Sequence, residues 1–262
     1  HQLGLKDRYS EAIMSQLRNL VGLQREGTRP HAGYEGNLMA EVGGGNVLGR
    51  WSRADSDDSG FSLQLYYDRT HLSLPVPAQV IGGLALAPAG TLTDDLDTFD
   101  ADFNHRFRAA TRHHVTWGLG YRFTHDDVGN APALAFFPAR LNQNLFSGFG
   151  QDEIALSSTV AFTVGSKLEH NAYTGLEVEP SGRLQWNVTP SRLVWGAVPR
   201  AIRAPARVDR DERLRTPGLS PFVEDLLVGG ANFVSETVIA YEVGAREQIG
   251  DMVVERVGRR IL

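Results

Sequence analysis

Residues 99–124 read FDADFNHRFRAATRHHVTWGLGYRFT and carry the clearest structural signal in the chain. Apolar side chains recur at every second position in both halves, which is the period of a β-strand whose two faces differ. The link between the halves, Arg108–Arg112, is polar or small and predicts a tight turn. In the second half one face carries Val115, Trp117, Leu119, Tyr121 and Phe123, and the other carries Thr116, Gly118, Gly120, Arg122 and Thr124. The stretch therefore predicts an antiparallel hairpin with one apolar and one polar face.

The same alternation recurs elsewhere in the chain. It is clear in Phe61–Asp68, Val160–Glu169, Leu193–Val198 and Ile239–Arg246. Because side chains alternate between faces, we expect Trp195 and Tyr241 on the outer, apolar face and Glu242 on the inner face. We expect three glycines, which leave room for neighbouring chain, on the inner face: Gly165, Gly196 and Gly244.

The links between strands alternate in length. Short links are expected at Arg53–Ser59, Arg108–Arg112, Leu156–Ser158 and Val188–Ser191, and long links at His71–Asp97, Asp126–Asn144, Asn171–Glu177 and Ile202–Ser235. One plain end and one elaborated end are typical of outer-membrane barrels, which have short periplasmic turns and longer outer loops. The predicted strands run about ten residues, near the ~9–11 that cross a bilayer at a tilt.

These patterns predict an all-β fold, an antiparallel up-and-down transmembrane β-barrel segment of about ten or eleven strands. Aromatic residues that recur near strand ends suit the interfacial girdle of such a barrel. A soluble β-sandwich binding domain shows the same alternation and stays open as an alternative. A passive porin-like barrel is a second alternative, with constitutive ion conduction.

Composition restricts the function classes. The chain has 262 residues, a formal charge of −5, a sequence pI of about 5.9 and no cysteine. The negative charge argues against a basic surface for nucleic-acid binding. The lack of cysteine excludes disulfides and cysteine metal sites. No apolar run approaches the ~18 residues of a membrane-spanning helix, and no charged-then-apolar secretory leader opens the chain. We find no nucleophile elbow, phosphate loop or metal-ligand set, so we expect no catalytic residues, no enzyme activity and no cofactor.

Four further segments carry a family resemblance. They are SGFGQDEI (147–154), VGSKLEH (164–170), VEPSGRLQWNVTPSRLVWGAVPRAIRAP (178–205) and NFVSETVIAYEVGAR (232–246). By their content, order and spacing the chain resembles the β-barrel region of TonB-dependent outer-membrane receptors. The resemblance runs from Gly45 to Arg246 and assigns 45–248 to a partial receptor barrel. Residues 1–44 stay unassigned, with helical spacing around Lys6–Leu23, and 249–262 are a divergent or truncated tail.

The resemblance implies a larger whole. Such receptors have a barrel of about 22 strands with a plugged lumen, and an N-terminal box that contacts the energising TonB complex. We expect the plug and the box to be absent from this chain. The resemblance further implies a Gram-negative outer-membrane location, contact with the lipid bilayer, and TonB-dependent uptake of a scarce ligand. Ferric siderophores or similar iron chelates are the usual cargo, with haem, cobalamin or sugars in some branches.

Two loop segments supply candidate ligand contacts. Arg203, Arg207 and Arg210 lie in an arginine-rich stretch mixed with carboxylates, where Coulomb attraction could draw in an anionic iron chelate. Phe136 and Phe137 form an apolar patch in another predicted loop. A structural interpretation also stays open. In it the mixed charges keep the loop soluble or contact lipopolysaccharide.

Pro199 interrupts a predicted strand, and a proline has no N–H to donate to a ladder. We therefore expect a bulge or local fraying at this position.

Overall fold

The structure is a computed structural model that describes residues 39–220, 223–249 and 252–261. The helix expected around Lys6–Leu23 lies outside the described residues. The elements, in chain order, are β1 (Glu41–Ser56), β2 (Ser59–Val76), β3 (Gln79–Ile81), β4 (Leu84–Ala87), β5 (Gly90–Ala110), β6 (His113–Gly129), β7 (Leu134–Phe136), β8 (Arg140–Ala155), β9 (Val160–Asn171), β10 (Gly175–Thr189), β11 (Arg192–Arg203), α1 (Arg207–Asp211), β12 (Glu212–Ser220), β13 (Val223–Val228), β14 (Glu236–Ile249) and β15 (Met252–Ile261). Within the described part of the chain, no helix has the length and apolar character to cross a membrane.

Ten long strands form one antiparallel sheet in the order β1-β2-β5-β6-β8-β9-β10-β11-β14-β15. Each strand pairs with the next long strand along the chain, which is an up-and-down arrangement. The predicted all-β, up-and-down fold with about ten strands is therefore confirmed. Two small sheets, β13-β12-β7 and β3-β4, are built from the remaining strands.

The apolar face of the long sheet is exposed. Tyr67 is 44% exposed, Leu119 58%, Phe146 53% and Tyr241 46%. A β-sandwich would bury such side chains between two sheets, whereas a barrel turns them toward lipid. The observed exposure therefore favours the barrel over the sandwich.

Ion pairs connect neighbouring strands across the polar face. Arg122 lies 2.6 Å from the buried carboxylate of Asp100 on the adjacent strand. Glu242 lies 2.5 Å from Arg259, and its side chain is 16% exposed while Tyr241 points the other way. The predicted division between Tyr241 and Glu242 is confirmed.

The apolar side chains on the exposed face of the long sheet form a band, and this band ends well before the strands do. Tyr67, Phe99 and Phe123 are register partners in one row, and the next row of the same face carries Arg69, Asp97 and His125. Because charged side chains on the lipid side of a barrel are destabilising, the strand ends past this row lie outside the membrane-spanning segment. Strands such as the 21-residue β5 are thus longer than the ten residues expected from the sequence.

The alternation of short and long links is correct with one exception. Short turns at 57–58, 111–112, 156–159 and 190–191 share one end, and long links at 77–89, 130–139 and 204–235 share the other. The expected long link at Asn171–Glu177 is wrong, since only 172–174 separate the strands. The Asn171 side chain accepts hydrogen bonds from the backbone N–H groups of Tyr173 (3.0 Å) and Thr174 (2.8 Å), and Gly175 adopts φ 76°. Both features close a tight turn.

The face assignment of Trp195 is also wrong. Trp195 is the register partner of Gln185 and Gly244 on the polar face, whereas Gly196 pairs with Leu184 on the apolar face. The indole fills the space over Gly244 and lies 4.7 Å from the Arg183 guanidinium, a cation–π distance.

Pro199 interrupts the pairing of β11 with β14. Partners are present at Ala197↔Glu242 and again at Arg200↔Ile239, in the same register. The pairing lapses at the proline, as a residue without an N–H requires, and no bulge forms.

β15 gives structure to most of the stretch that the sequence left as a tail. It pairs with β14 from Ile249↔Met252 to Ala240↔Ile261. Its alternation is imperfect, since Arg260 partners Tyr241 on the apolar face and Val257 partners Gly244 on the polar face, whereas Arg259 lies on the polar face beside Glu242.

We predict that Gly244→Ala destabilises the sheet by about 1–3 kcal/mol through overpacking. A Cβ at this position would lie 2.5 Å from the Trp195 ring, so the indole must leave Arg183. Denaturant unfolding of the chain in detergent micelles, followed by tryptophan fluorescence, measures the change. Gly196→Ala is the matched control, because the nearest atom is 3.6 Å away, and it should shift stability by less than about 0.5 kcal/mol. Equal effects of the two substitutions would contradict the face assignment.

We predict opposite effects for the two adjacent arginines of β15. Arg260→Leu should stabilise the chain inserted in lipid vesicles by about 1–4 kcal/mol, because it removes a charge from the lipid side. Arg259→Leu should destabilise it by about 1–3 kcal/mol, because Glu242 loses its partner. Urea titration of vesicle-inserted chain compares them, and shifts of the same sign would show that β15 does not face lipid as placed.

Candidate functional site

A small dry core lies at the loop end of the sheet. Its buried residues come from the ends of β2, β5 and β6 and from the links 77–89 and 130–139: Val76, Ala87, Leu92, Val128, Ala131 and Ala133. Leu74, Leu134 and Phe136 pack against them. The apolar stretch around Leu84–Leu92 thus folds partly on its own loops, with Leu86 and Leu92 each 4% exposed. This core fixes the links that carry the candidate ligand residues.

The long link 204–235 is held against this core by small strands. β12 pairs with β7 from the neighbouring link, and the backbone N–H of Arg215 donates to the Ala133 carbonyl at 2.8 Å. Gly218 lies so close to β4 that a Cβ there would overlap the Ala85 carbonyl. The described parts of the link, 204–220 and 223–235, therefore form a layer that contacts the neighbouring links.

Arg207 of α1 is the buried centre of this layer. Its side chain is 9% exposed, and its guanidinium lies 2.6 Å from the Asp126 carboxylate and 3.5 Å from Asp211. It also donates to the Pro138 carbonyl and lies over the Phe136 ring at 5.4 Å. Arg207, a candidate ligand contact in the sequence, joins α1 to β6 and to the segment that follows β7.

Two aspartates meet beside Arg207. Asp94 of β5 lies within hydrogen-bonding reach of Asp126 of β6, and both positions are past the end of the apolar band. Burial and the neighbouring Asp126 carboxylate raise the pKa of Asp94 to about 7, and Arg207 only partly offsets them. The raised pKa favours the neutral form of Asp94 beside the Asp126 carboxylate.

Arg210 and Tyr173 form the next contact along α1. The Arg210 guanidinium lies 5.0 Å from the Tyr173 ring and donates to the Phe233 carbonyl at 2.7 Å. The Tyr173 hydroxyl donates to Asp211 at 2.8 Å. Burial, followed by this hydrogen bond, raises the pKa of Tyr173. These contacts attach the helix to the tight turn at 172–174.

Arg203 holds the base of the long link. It donates to the two carboxylate oxygens of Glu236 at 3.0 and 3.2 Å, a paired geometry that joins the end of β11 to the start of β14. Ser235 next to it donates to Glu177 at 2.5 Å.

The two neighbouring phenylalanines have different surroundings. Phe136 is packed beneath Arg207, whereas Phe137 is 43% exposed. The guanidinium of Arg213 lies 5.1 Å from the Phe137 ring and that of Arg215 lies 5.7 Å from it. Both arginines pair with one carboxylate, Asp225, at 2.9 and 3.3 Å. We call Phe137, Arg213 and Arg215 the exposed aromatic cluster.

The structure thus separates the five predicted site residues. Arg203, Arg207, Arg210 and Phe136 are engaged in contacts between loops, and Phe137 remains half-exposed. The sequence prediction missed Asp126 and Tyr173, which stand in no motif, and did not select Arg213 and Arg215 from the arginine-rich stretch. Among the residues that the structure describes, no three His, Asp or Glu side chains converge to hold a metal ion.

Comparison with protein families gives one match. The family described as TonB dependent receptor-like, beta-barrel matches residues 10–253. No curated protein matches the chain.

Solved structures of other proteins align with the fold of this chain. A ferric enterobactin receptor (PfeA) mutant from Pseudomonas aeruginosa aligns with a TM-score of 0.59 at 17% identity, over 82% of this chain and 34% of the receptor. The siderophore receptor PirA from Acinetobacter baumannii aligns with a TM-score of 0.61 at 18% identity, over 82% of this chain and 35% of the receptor. The copper transporter OprC aligns with a TM-score of 0.57 at 11% identity, over 82% and 38%. The chain therefore spans about a third of the length of these proteins.

We predict that Arg207→Ala releases the long link. Removing one partner of a buried ion pair leaves Asp126 uncompensated, at a cost of about 3 kcal/mol or more. Proteolytic cleavage within 204–235 should then accelerate by roughly two orders of magnitude. Arg140→Ala is the matched control at the same end, because Arg140 is 76% exposed and solvent screens its pair with Asp127, so its loss should cost little stability. Equal cleavage rates for the two variants would contradict the central role of Arg207.

Proposed function

The chain belongs to the TonB-dependent receptor-like β-barrel family, and on this premise we propose that it is part of an active uptake receptor of the Gram-negative outer membrane. The observation that carries the proposal is the family match over most of the chain, on a sheet whose apolar face is exposed. The family and the structural neighbours are transport receptors, so the prediction that the chain is not an enzyme is confirmed. A passive porin-like barrel is less consistent with this family.

A ferric siderophore or similar iron chelate is the ligand that we propose. Two of the structural neighbours are named as enterobactin and siderophore receptors, and a third as a copper transporter. Energy would come from a TonB-type complex through a plug domain in a longer parent protein. Residues 45–248 would form the receptor barrel, and the bilayer would surround their apolar face.

The exposed aromatic cluster is the ligand contact that we propose. Arg213 and Arg215 both place a guanidinium group beside the Phe137 ring, and guanidinium groups are well suited to binding anionic oxygen atoms. The face of Phe137 offers a flat apolar surface beside them. Arg203, Arg207 and Arg210 would act behind this surface by holding the link in place, with Phe136 as the packed support.

We predict that the chain binds a ferric catecholate complex and that Phe137→Ala or Arg213→Ala weakens binding by about tenfold or more. Quenching of tryptophan fluorescence in detergent micelles measures the affinity, with Cu²⁺, haem and cobalamin titrated in parallel. Arg53→Ala is the control, because Arg53 pairs with Asp55 at the opposite, short-turn end. Binding of Cu²⁺ alone would reassign the ligand class, and unchanged affinity in both variants would place the contact elsewhere.

A further inference from the structure

The contact between Asp94 and Asp126 lies where the long link is attached. Asp94 and Asp126 come from two neighbouring strands of the sheet, and Arg207 reaches Asp126 from the link and acts on Asp94 through its charge. The charged groups around Asp94 are Asp126 of β6, Arg207 of α1 and Asp95 of its own strand. Beyond Arg207 lie Asp211, Tyr173 and Arg210.

Hydrogen bonding in this cluster is incomplete within the described residues. One oxygen of Asp94 and one of Asp126 are buried without an aligned donor, and Nε and Nη1 of Arg207 are buried without an aligned acceptor. The contact between Arg207 and Asp126 is therefore held by charge more than by directed hydrogen bonds. The strength of the contact between Arg207 and Asp126 therefore depends on how many of the surrounding side chains are charged.

We propose that Asp94, Asp126 and Arg207 form a proton-controlled clasp that closes the link 204–235 when Asp94 is neutral and loosens it when Asp94 ionises. This deepens the proposed function, because the clasp regulates the loop that carries Arg213 and Arg215, and in that respect it rests on the proposed function. Neutral Asp94 leaves Arg207 facing the single negative charges of Asp126 and Asp211. Ionised Asp94 adds a negative charge that must be hydrated. The water that enters separates the Arg207 guanidinium from Asp126.

The sign of the pH dependence follows from the raised pKa. The closed state holds the proton up to about pH 7, whereas a solvent-exposed aspartate releases it near pH 3.8. The closed link thus has its full extra stability below pH 3.8, and loses it as pH rises toward 7. Between pH 5.5 and pH 8.5 the closing equilibrium should fall by roughly tenfold to thirtyfold.

The clasp also connects to the proposed ligand surface. Arg207 covers the Phe136 ring, and Phe137 follows directly in the chain. The backbone N–H of Phe137 donates to the Asp211 carbonyl at 2.9 Å, so movement of α1 also displaces this aromatic residue. Opening of the link would change the spacing between Phe137 and its two arginines.

Hydrogen–deuterium exchange of the full chain in detergent micelles tests the clasp without any ligand. We expect protection of peptides from 204–217 and 223–235, corrected for intrinsic exchange, to fall tenfold or more between pH 5.5 and pH 8.5. The reporting amides include Arg215, bonded to Ala133, and Gly229, bonded to Glu212. Peptides from 160–166 and 181–189 should change little, because they lie at the end of β9 and β10 away from the Tyr173 and Glu177 contacts with the link.

Variants separate the clasp from general effects of pH. Asp94→Asn keeps a neutral side chain at every pH and should remove the pH dependence of the link. Asp94→Ala serves the same purpose if the amide disturbs folding. Asp97→Asn is the matched control on the opposite face and should keep the wild-type dependence. Equal protection at both pH values, an equal fall in 160–166 and 181–189, or full pH dependence in Asp94→Asn would overturn the proposal. Failure of ligand binding would leave this measurement unaffected.

Discussion

Satisfaction of backbone hydrogen bonds in lipid is the constraint on which this structure depends. Water is absent there, and each unpaired N–H or C=O costs several kcal/mol. Ten strands that each pair with their chain neighbours satisfy the ladders of the interior strands, apart from the lapse at Pro199. The same arrangement leaves one face free for lipid, so exposed residues such as Leu119 are expected. The dry core is displaced to the loop end, where Val76, Leu92 and Val128 pack beneath the links.

The fold could be predicted from the sequence because its strands carry strong alternation and short polar turns. The hairpin of β5 and β6 is the best case, with apolar and polar residues separated almost without exception. The prediction failed at Trp195 because Leu193–Val198 contains only apolar residues and glycine, so alternation cannot tell its faces apart. The deciding fact, the open space over Gly244, belongs to another strand. The turn at 172–174 was missed because a single asparagine closes it through its own side chain.

The candidate site was less accessible to sequence reasoning. Arginines mixed with carboxylates show that charge is present, but they do not show which side chains meet. Arg207 and Arg213 look alike in the sequence, yet one is buried and the other faces solvent in part. Asp94 and Asp126 lie far apart in the chain and come together only through the register of β5 with β6. Function therefore depends on pairings that a single sequence does not encode in any local pattern.

The direction of the edge strands restricts how this sheet can be completed. With ten antiparallel strands in succession, β1 and β15 run in opposite directions. A closed antiparallel cylinder that includes them needs an even number of additional strands between the two edges. Whole hairpins satisfy this parity rule, whereas one extra strand would force a parallel junction. Insertions or deletions of strands in such receptors should therefore involve whole hairpins. This also keeps every long link on the same side of the membrane.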